Sequence, residues 1–167
     1  MLSMEIERAS LHEIEIIMRI YAEAHRIMYE SGNRTQWPAS YPDQSLIEES
    51  VNEGRQFAVR GEDGLIHGSF YMAEEKDHTY EVIDGSWSSS RPYIVIHRIA
   101  QDGSLRGMLA CAVSFALERT DYIRIDTHED NAIMRHLLSK LGFRECGIII
   151  TDNGTPRIAY DYLSRQP

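Results

Sequence analysis

Apolar positions along this chain change period from segment to segment, and the changes mark out the elements. Met4 to Arg8 alternates and reads as a short strand with one wet face. Ser10 and Glu13 have the form of a capping box, and Ile14, Ile17, Met18, Tyr21, Ala24 and Met28 then recur at steps of three and four. This predicts a helix that stops at Ser31-Gly32. Asp43 caps a shorter helix, Gln44 to Asn52, closed by Gly54. Two strand-like runs, Arg55 to Arg60 and Leu65 to Ala73, are joined by Gly61-Glu62-Asp63-Gly64, a hairpin by its turn residues. His67 and Gly68 interrupt the second run, and Gly68 can mark a bulge.

Between these segments the period is lost. Asn33 to Pro42 carries two prolines and the aromatic residues Trp37 and Tyr41, which either pin the loop to the core or line a ligand pocket. His25 lies beside the apolar stripe of the first helix. Glu74 to Ser90 is polar and reads as a loop with one short helix or turn. Later, Tyr122 to Asp126 alternates, Asp130 or Asn131 caps a helix striped by Ile133, Met134, Leu137, Leu138 and Leu141, and Gly142 ends it. Phe143 to Thr151 and Ile158 to Leu163 close the chain as a strand pair.

The stretch Tyr93 to Ala110, YIVIHRIAQDGSLRGMLA, organises the rest. It begins as a continuously apolar strand interrupted by His97 and Arg98, turns at Asp102-Gly103-Ser104, and enters a helix, Met108 to Leu117, after Arg106-Gly107. A strand that feeds a helix through such a corner leaves free backbone N–H groups at the helix start, where anions bind.

Composition narrows the partners. The 167 residues suit one domain spanning 1–167, and a formal net charge of -9 repels nucleic acid and acidic membranes, so neither is an expected partner. Any anionic ligand must be held by local donors. Two cysteines, Cys111 and Cys146, make no disulfide framework, and no window is long and apolar enough to span a membrane, so a cytoplasmic location is expected. Metal and dinucleotide motifs are missing from the sequence, and no metal is expected.

Taken together, the strand IVIHRIA, the corner DGSLRG, the passage RIDTHEDNAIMRHLLSKLGF and the closing hairpin resemble the GNAT superfamily of N-acetyltransferases over nearly the whole chain. The resemblance implies an α/β fold, a mixed and mostly antiparallel central sheet with helices on both faces. It also implies acetyl-coenzyme A as cosubstrate and direct transfer of the acetyl group to a primary amine of a small molecule or peptide. The pyrophosphate would lie on the N–H groups of Arg106, Gly107, Met108, Leu109 and Ala110, with charge added by Arg106. Ile99, Ala100 and Gln101 would pair with the amide-rich pantetheine arm, and a backbone N–H near Ile99 would meet the oxyanion. Asn131 matches a family position that reaches the cofactor, or is a plain helix cap. Trp37 and Tyr41 would wall the acceptor pocket.

The catalytic candidate is His97, whose residue type suits a general base and which strict alternation places on the sheet face of Ile99 and Gln101. A hydrogen-bonded core histidine is its other reading, and His128 is a second candidate acting through water. Two departures from the family pattern stand out. Leu109 and Cys111 occupy corner positions where small residues are usual, and Leu138 stands where many members carry a tyrosine general acid. Both favour the alternative function, a non-catalytic acyl-coenzyme A binding or sensing domain. The late strands also leave an edge at which two copies could pair as a homodimer.

Overall fold

The computed structural model describes residues 3–164. Eight strands, β1 (Glu5–Arg8), β2 (Gln56–Arg60), β3 (Ile66–Glu74), β4 (Asp84–Gly85), β5 (Ile94–Gln101), β6 (Tyr122–Thr127), β7 (Arg144–Ile150) and β8 (Pro156–Leu163), form one sheet in the order β1-β2-β3-β5-β6-β8-β7-β4. The helices are α1 (Ile14–Glu30), α2 (Gln44–Asn52), α3 (Met108–Leu117) and α4 (Ala132–Lys140). Short 3-10 turns, Leu11–Glu13 and His78–Tyr80, precede α1 and follow β3. Every pairing is antiparallel except β5 with β6, which are parallel. The two-residue β4 against Ile148 and Gly147 of β7 is the one strand that lay inside the stretch read as loop.

The caps act as their residue types require. Ser10 N–H donates to Glu13 Oε1 at 2.9 Å, and Asp43 Oδ1 accepts from Leu46 N at 2.8 Å. Sheet alternation then divides the core. Phe57, Val59, Phe70, Met72, Ile94, Ile96, Ile123 and Ile125 face α3 and Leu138 of α4. Ala58, Ile66 and Ala100 face Ile17, Ile20, Tyr21 and Ala24 of α1, with Ile47 and Val51 of α2. The rest of that second face, Tyr71, Ala73, Val95, Tyr122 and Ala159, is covered by Tyr80 and Tyr93 of the polar segment. Helices therefore lie on both faces, as the resemblance implies. Gly68 has a packing reason to be glycine: a Cβ there would lie 2.6 Å from Met108 Sδ and 3.1 Å from the Ala100 carbonyl, so α3 can approach the sheet closely only above a bare backbone.

One buried carboxylate ties the far half of the sheet together. Asp161 is 1% exposed and accepts from Ser88 N at 2.7 Å, Ser88 Oγ at 2.8 Å and Tyr122 Oη at 2.7 Å.

Candidate active site

The site begins where the parallel pair comes apart. β5 and β6 pair only at Ile94 with Ile123 and Val95 with Arg124, although β5 runs on to Gln101 and β6 to Thr127. The remainder of β5 is thus unpaired on its β6 side, which leaves backbone donors and acceptors along the cleft, Ile99 to Gln101 among them. A bulge bends β5 at this point. Arg98 has φ 50, and the partners of β5 on β3 step from Tyr71 opposite His97 to Ser69 opposite Ala100, one residue too many on β5. Tyr21 Oη donates to the Arg98 carbonyl at 2.8 Å, Arg98 Nη2 donates to Ser50 Oγ at 2.9 Å, and the guanidinium lies 4.7 Å over the Tyr71 ring. These contacts hold a left-handed non-glycine residue that costs about 1–3 kcal/mol.

The bulge corrects the alternation expected for His97. With the extra residue at Arg98, His97 shares a face with Ala100 and Tyr71, while Ile99 and Gln101 fall on the other. His97 accordingly faces the polar segment after β3. Its Nε2 lies 2.8 Å from Asp77 Oδ2, and its Nδ1 lies 3.8 Å from Asp126 Oδ2 of β6, across the opening. Asp77 Oδ1 accepts from Thr79 N at 2.9 Å and Thr79 Oγ1 at 2.6 Å. Burial pushes the Asp77 carboxyl up, but the hydrogen bonds from His97 and Thr79 outweigh it and hold the group down at about 2. Tyr80 Oη donates to Asp126 Oδ2 at 2.6 Å, and burial followed by the Asp126 charge pushes this phenol well above its usual range. Glu75, Asp77 and His97 could each offer an ion one ligand atom within 4.8 Å of the others. Glu75 is already engaged by Arg55 Nη1 at 2.9 Å and Tyr71 Oη at 3.0 Å, and Asp77 by His97 and Thr79, so the cluster is satisfied by its own partners.

The second part is the corner after β5. Gly107 is the N-cap of α3 with φ 76, a conformation glycine adopts without strain, and no side chain caps the helix. The N–H groups of Met108, Leu109 and Ala110 in the first turn have no intrahelical acceptor, which leaves three donors at the helix start where an anion could be held. Arg106 is exposed beside them. Leu109 is buried in the core under α3, so its bulk is directed away from the corner, and Cys111 is half-buried. Gln101 also shapes the corner through its side chain: its Oε1 accepts from Leu105 N at 3.0 Å.

The opposite wall is held by Gln36. Its Oε1 lies 3.2 Å from Asn131 Nδ2 and 3.4 Å from both His128 N and Thr127 Oγ1, and its carbonyl accepts from Arg157 Nη2 at 2.9 Å. The early loop is thereby strapped to the end of β6 and the start of α4. Asn131 also caps α4, its Oδ1 accepting from Met134 N at 3.1 Å, so both ends of this amide are used within the protein. His128 Nδ1 accepts from Asp130 N at 3.0 Å, which makes Nε2 the donor toward Thr35 Oγ1 at 3.2 Å. His25 Nε2 lies 3.1 Å from the Trp37 carbonyl and fixes the loop. Trp37 is buried with α1, α2 and Ala100, its ring centroid 5.8 Å from Tyr21, whereas Tyr41 is half-buried with its centroid 5.9 Å from Trp37. Burial lowers the Arg157 pKa against the pull of Asp126. Asp77, Asp126, Gln36 and Arg157 were not singled out in the sequence: they belong to turns and strand ends without periodic signal.

No protein-family model matches the sequence, and no curated protein does. Solved structures do. A GNAT-family acetyltransferase from Streptococcus agalactiae is 28% identical, covers 98% of this chain and 96% of its own, and superposes with a TM-score of 0.85. GNAT-family acetyltransferases from Listeria monocytogenes (19% identity, 96% of this chain and 94% of theirs, TM-score 0.70) and Bacillus cereus (20%, 98% and 99%, 0.65) share the fold. The mixed, mostly antiparallel sheet of eight strands with four helices matches the fold of these acetyltransferases. Over nearly its whole length the chain is thus similar to GNAT-family acetyltransferases and shares their fold.

Proposed function

We propose that this protein transfers an acetyl group from acetyl-coenzyme A to the primary amine of a small molecule or peptide by direct attack. The observation that carries the reading is the parting of β5 from β6 after two residue pairs, directly beside the uncapped start of α3. The gap supports a pantetheine arm paired along Ile99 to Gln101, and the helix start supports a pyrophosphate on the N–H groups of Met108 to Ala110. Bound there, the cosubstrate supplies the activated acetyl group.

His97 takes the ammonium proton of the acceptor. Asp77 fixes the ring through Nε2 and stabilises the imidazolium that results, and Asp126, 3.8 Å from Nδ1, adds a second negative charge on the side where a cationic amine approaches. Arg106 adds charge to the anion corner. Tyr41 stands on the half-buried side of the early loop, where an acceptor can touch it, with Trp37 behind it. Cys111 and Cys146 are free thiols, which supports a reducing, cytoplasmic setting.

Leu138 favours a second reading. It is 0% exposed in the core, and α4 carries no tyrosine, so the leaving thiolate has no phenol donor from that helix. A domain that binds acyl-coenzyme A without turnover would have this character. Thermal shift with acetyl-coenzyme A followed by thiol release over an amine panel separates the two. Stabilisation with amine-dependent thiol release is the expected result. Stabilisation without release selects the binding domain, and no stabilisation removes both.

A further inference from the structure

The anion corner is tethered from below by a histidine outside the catalytic cluster. β2 and β3 pass from Val59 opposite Gly68 to Arg60 opposite Ile66, so His67 is the extra residue of a bulge and its ring lies between two loops. Nδ1 lies 2.7 Å from Asp102 Oδ2 in the corner, and Nε2 lies 2.8 Å from Asp63 Oδ2 in the β2–β3 turn. Asp102 N–H also donates to the His67 carbonyl at 3.0 Å. Asp102 Oδ1 in turn accepts from Ser104 N at 2.9 Å and from Ser104 Oγ, setting the turn that leads to Gly107.

A neutral imidazole can donate from only one nitrogen, and its other nitrogen would face a carboxylate lone pair. Only the imidazolium donates to both. We propose that His67, as an imidazolium bridging Asp63 and Asp102, is a positioning residue for the anion corner, holding the loop Asp102–Gly107 so that the first-turn N–H groups of α3 are aimed at phosphate. The inference rests on the coenzyme A reading for its ligand. The tether itself does not.

The bridge serves a second purpose. Asp102 places a negative charge within the corner that must accept an anion. The imidazolium offsets the Asp102 charge at the point of contact. Its side chain is 19% exposed, which leaves it partly shielded from solvent. The charged groups facing the ring are Asp63 from its own hairpin and Asp102 from the corner. Ser104 Oγ lies 3.1 Å from Nδ1, and the Gly61 backbone lies against the ring edge, where a Cβ would stand 3.1 Å from His67 Cδ2. Hydrogen bonds to Asp102 and then Asp63 raise the His67 pKa. The bridge is therefore complete below that raised value and is lost as pH climbs through it.

His67→Gln, which keeps one donor, and Asp63→Asn test this. Amide hydrogen exchange of Gly103 to Ala110 is read in the protein without cofactor, and the Michaelis constant for acetyl-coenzyme A and kcat are read across pH 6–9. In His67→Gln the corner amides exchange faster, and KM rises by about tenfold, the weight of one charge-assisted hydrogen bond, while kcat stays within about twofold. The native KM climbs with pH and the variant profile is flat. Asp63→Asn shows the same signs at smaller size, and it carries the test if His67→Gln fails to fold. Unchanged corner exchange at every pH, or a fall in kcat at constant KM, overturns the proposal. If the native protein neither binds nor turns over acetyl-coenzyme A, the functional reading fails and corner exchange alone decides the tether.

Discussion

Gly68 offers a quantitative test of how α3 is seated. In Gly68→Ala the new methyl would lie 2.6 Å from Met108 Sδ, 2.9 Å from Met108 Cε and 3.1 Å from the Ala100 carbonyl. Gly68 lies in a strand without a positive φ, so alanine is favoured in the unfolded-chain balance by about 0.4–1 kcal/mol. Overpacking of this kind costs about 1–3 kcal/mol, so a net loss of about 1 kcal/mol is expected. Met108 is the first residue of α3, and its retreat shifts the helix start, raising KM for acetyl-coenzyme A. The control is the same change in Met108→Ala, where both short sulfur and methyl contacts are gone. There Gly68→Ala becomes close to neutral, a coupling of about 1 kcal/mol in urea unfolding. An equal cost in both backgrounds would refute the claim that Met108 packs down on Gly68.

Three further outcomes follow from named contacts. His97→Ala lowers kcat by about 100-fold or more, the usual weight of general-base catalysis, and leaves acetyl-coenzyme A affinity close to native; a native pH–rate profile in the variant would remove His97 as the base. Asp77 titrates at about 2 when folded against an ordinary 3.8, so its contribution, about 2 kcal/mol, is present above the ordinary value and is lost as pH falls from about 4 to about 2. Asp77→Asn should therefore lose about 2 kcal/mol less than the native protein between pH 5 and pH 2 in denaturant titrations, and an equal loss contradicts the assignment. Asp161→Ala strands Ser88 N–H, Ser88 Oγ and Tyr122 Oη and should cost about 3–5 kcal/mol, whereas a loss below about 1 kcal/mol would show that water replaces the carboxylate without penalty.

Much of this architecture is legible in the sequence, because strong periods and turn residues act locally. The α1 stripe, the Asp43 cap and the Arg106-Gly107 entry to α3 each stand where the pattern puts them. What is not legible depends on single residues that break a period. Arg98 adds one residue to β5, and this moves His97 to the face opposite Ile99, which no alternation rule anticipates. Two residues of β4 carry no period at all. Trp37 is ambiguous in a loop sequence because an aromatic ring suits a core or a pocket equally, and only its contacts with Tyr21 and α2 decide. His67 reads as an interruption of a strand, since its partners are the nearby Asp63 and the remote Asp102, which meet only when the sheet forms. Asp126 likewise reaches His97 only across the parted strands.

The claim that the parted strands and the open start of α3 form the coenzyme A site is tested most directly by amide NMR of the isotope-labelled protein titrated with coenzyme A. Saturable shifts centred on Ile99 to Gln101 and Arg106 to Ala110 are expected. Shifts confined to other surfaces, or none at millimolar ligand, would contradict it.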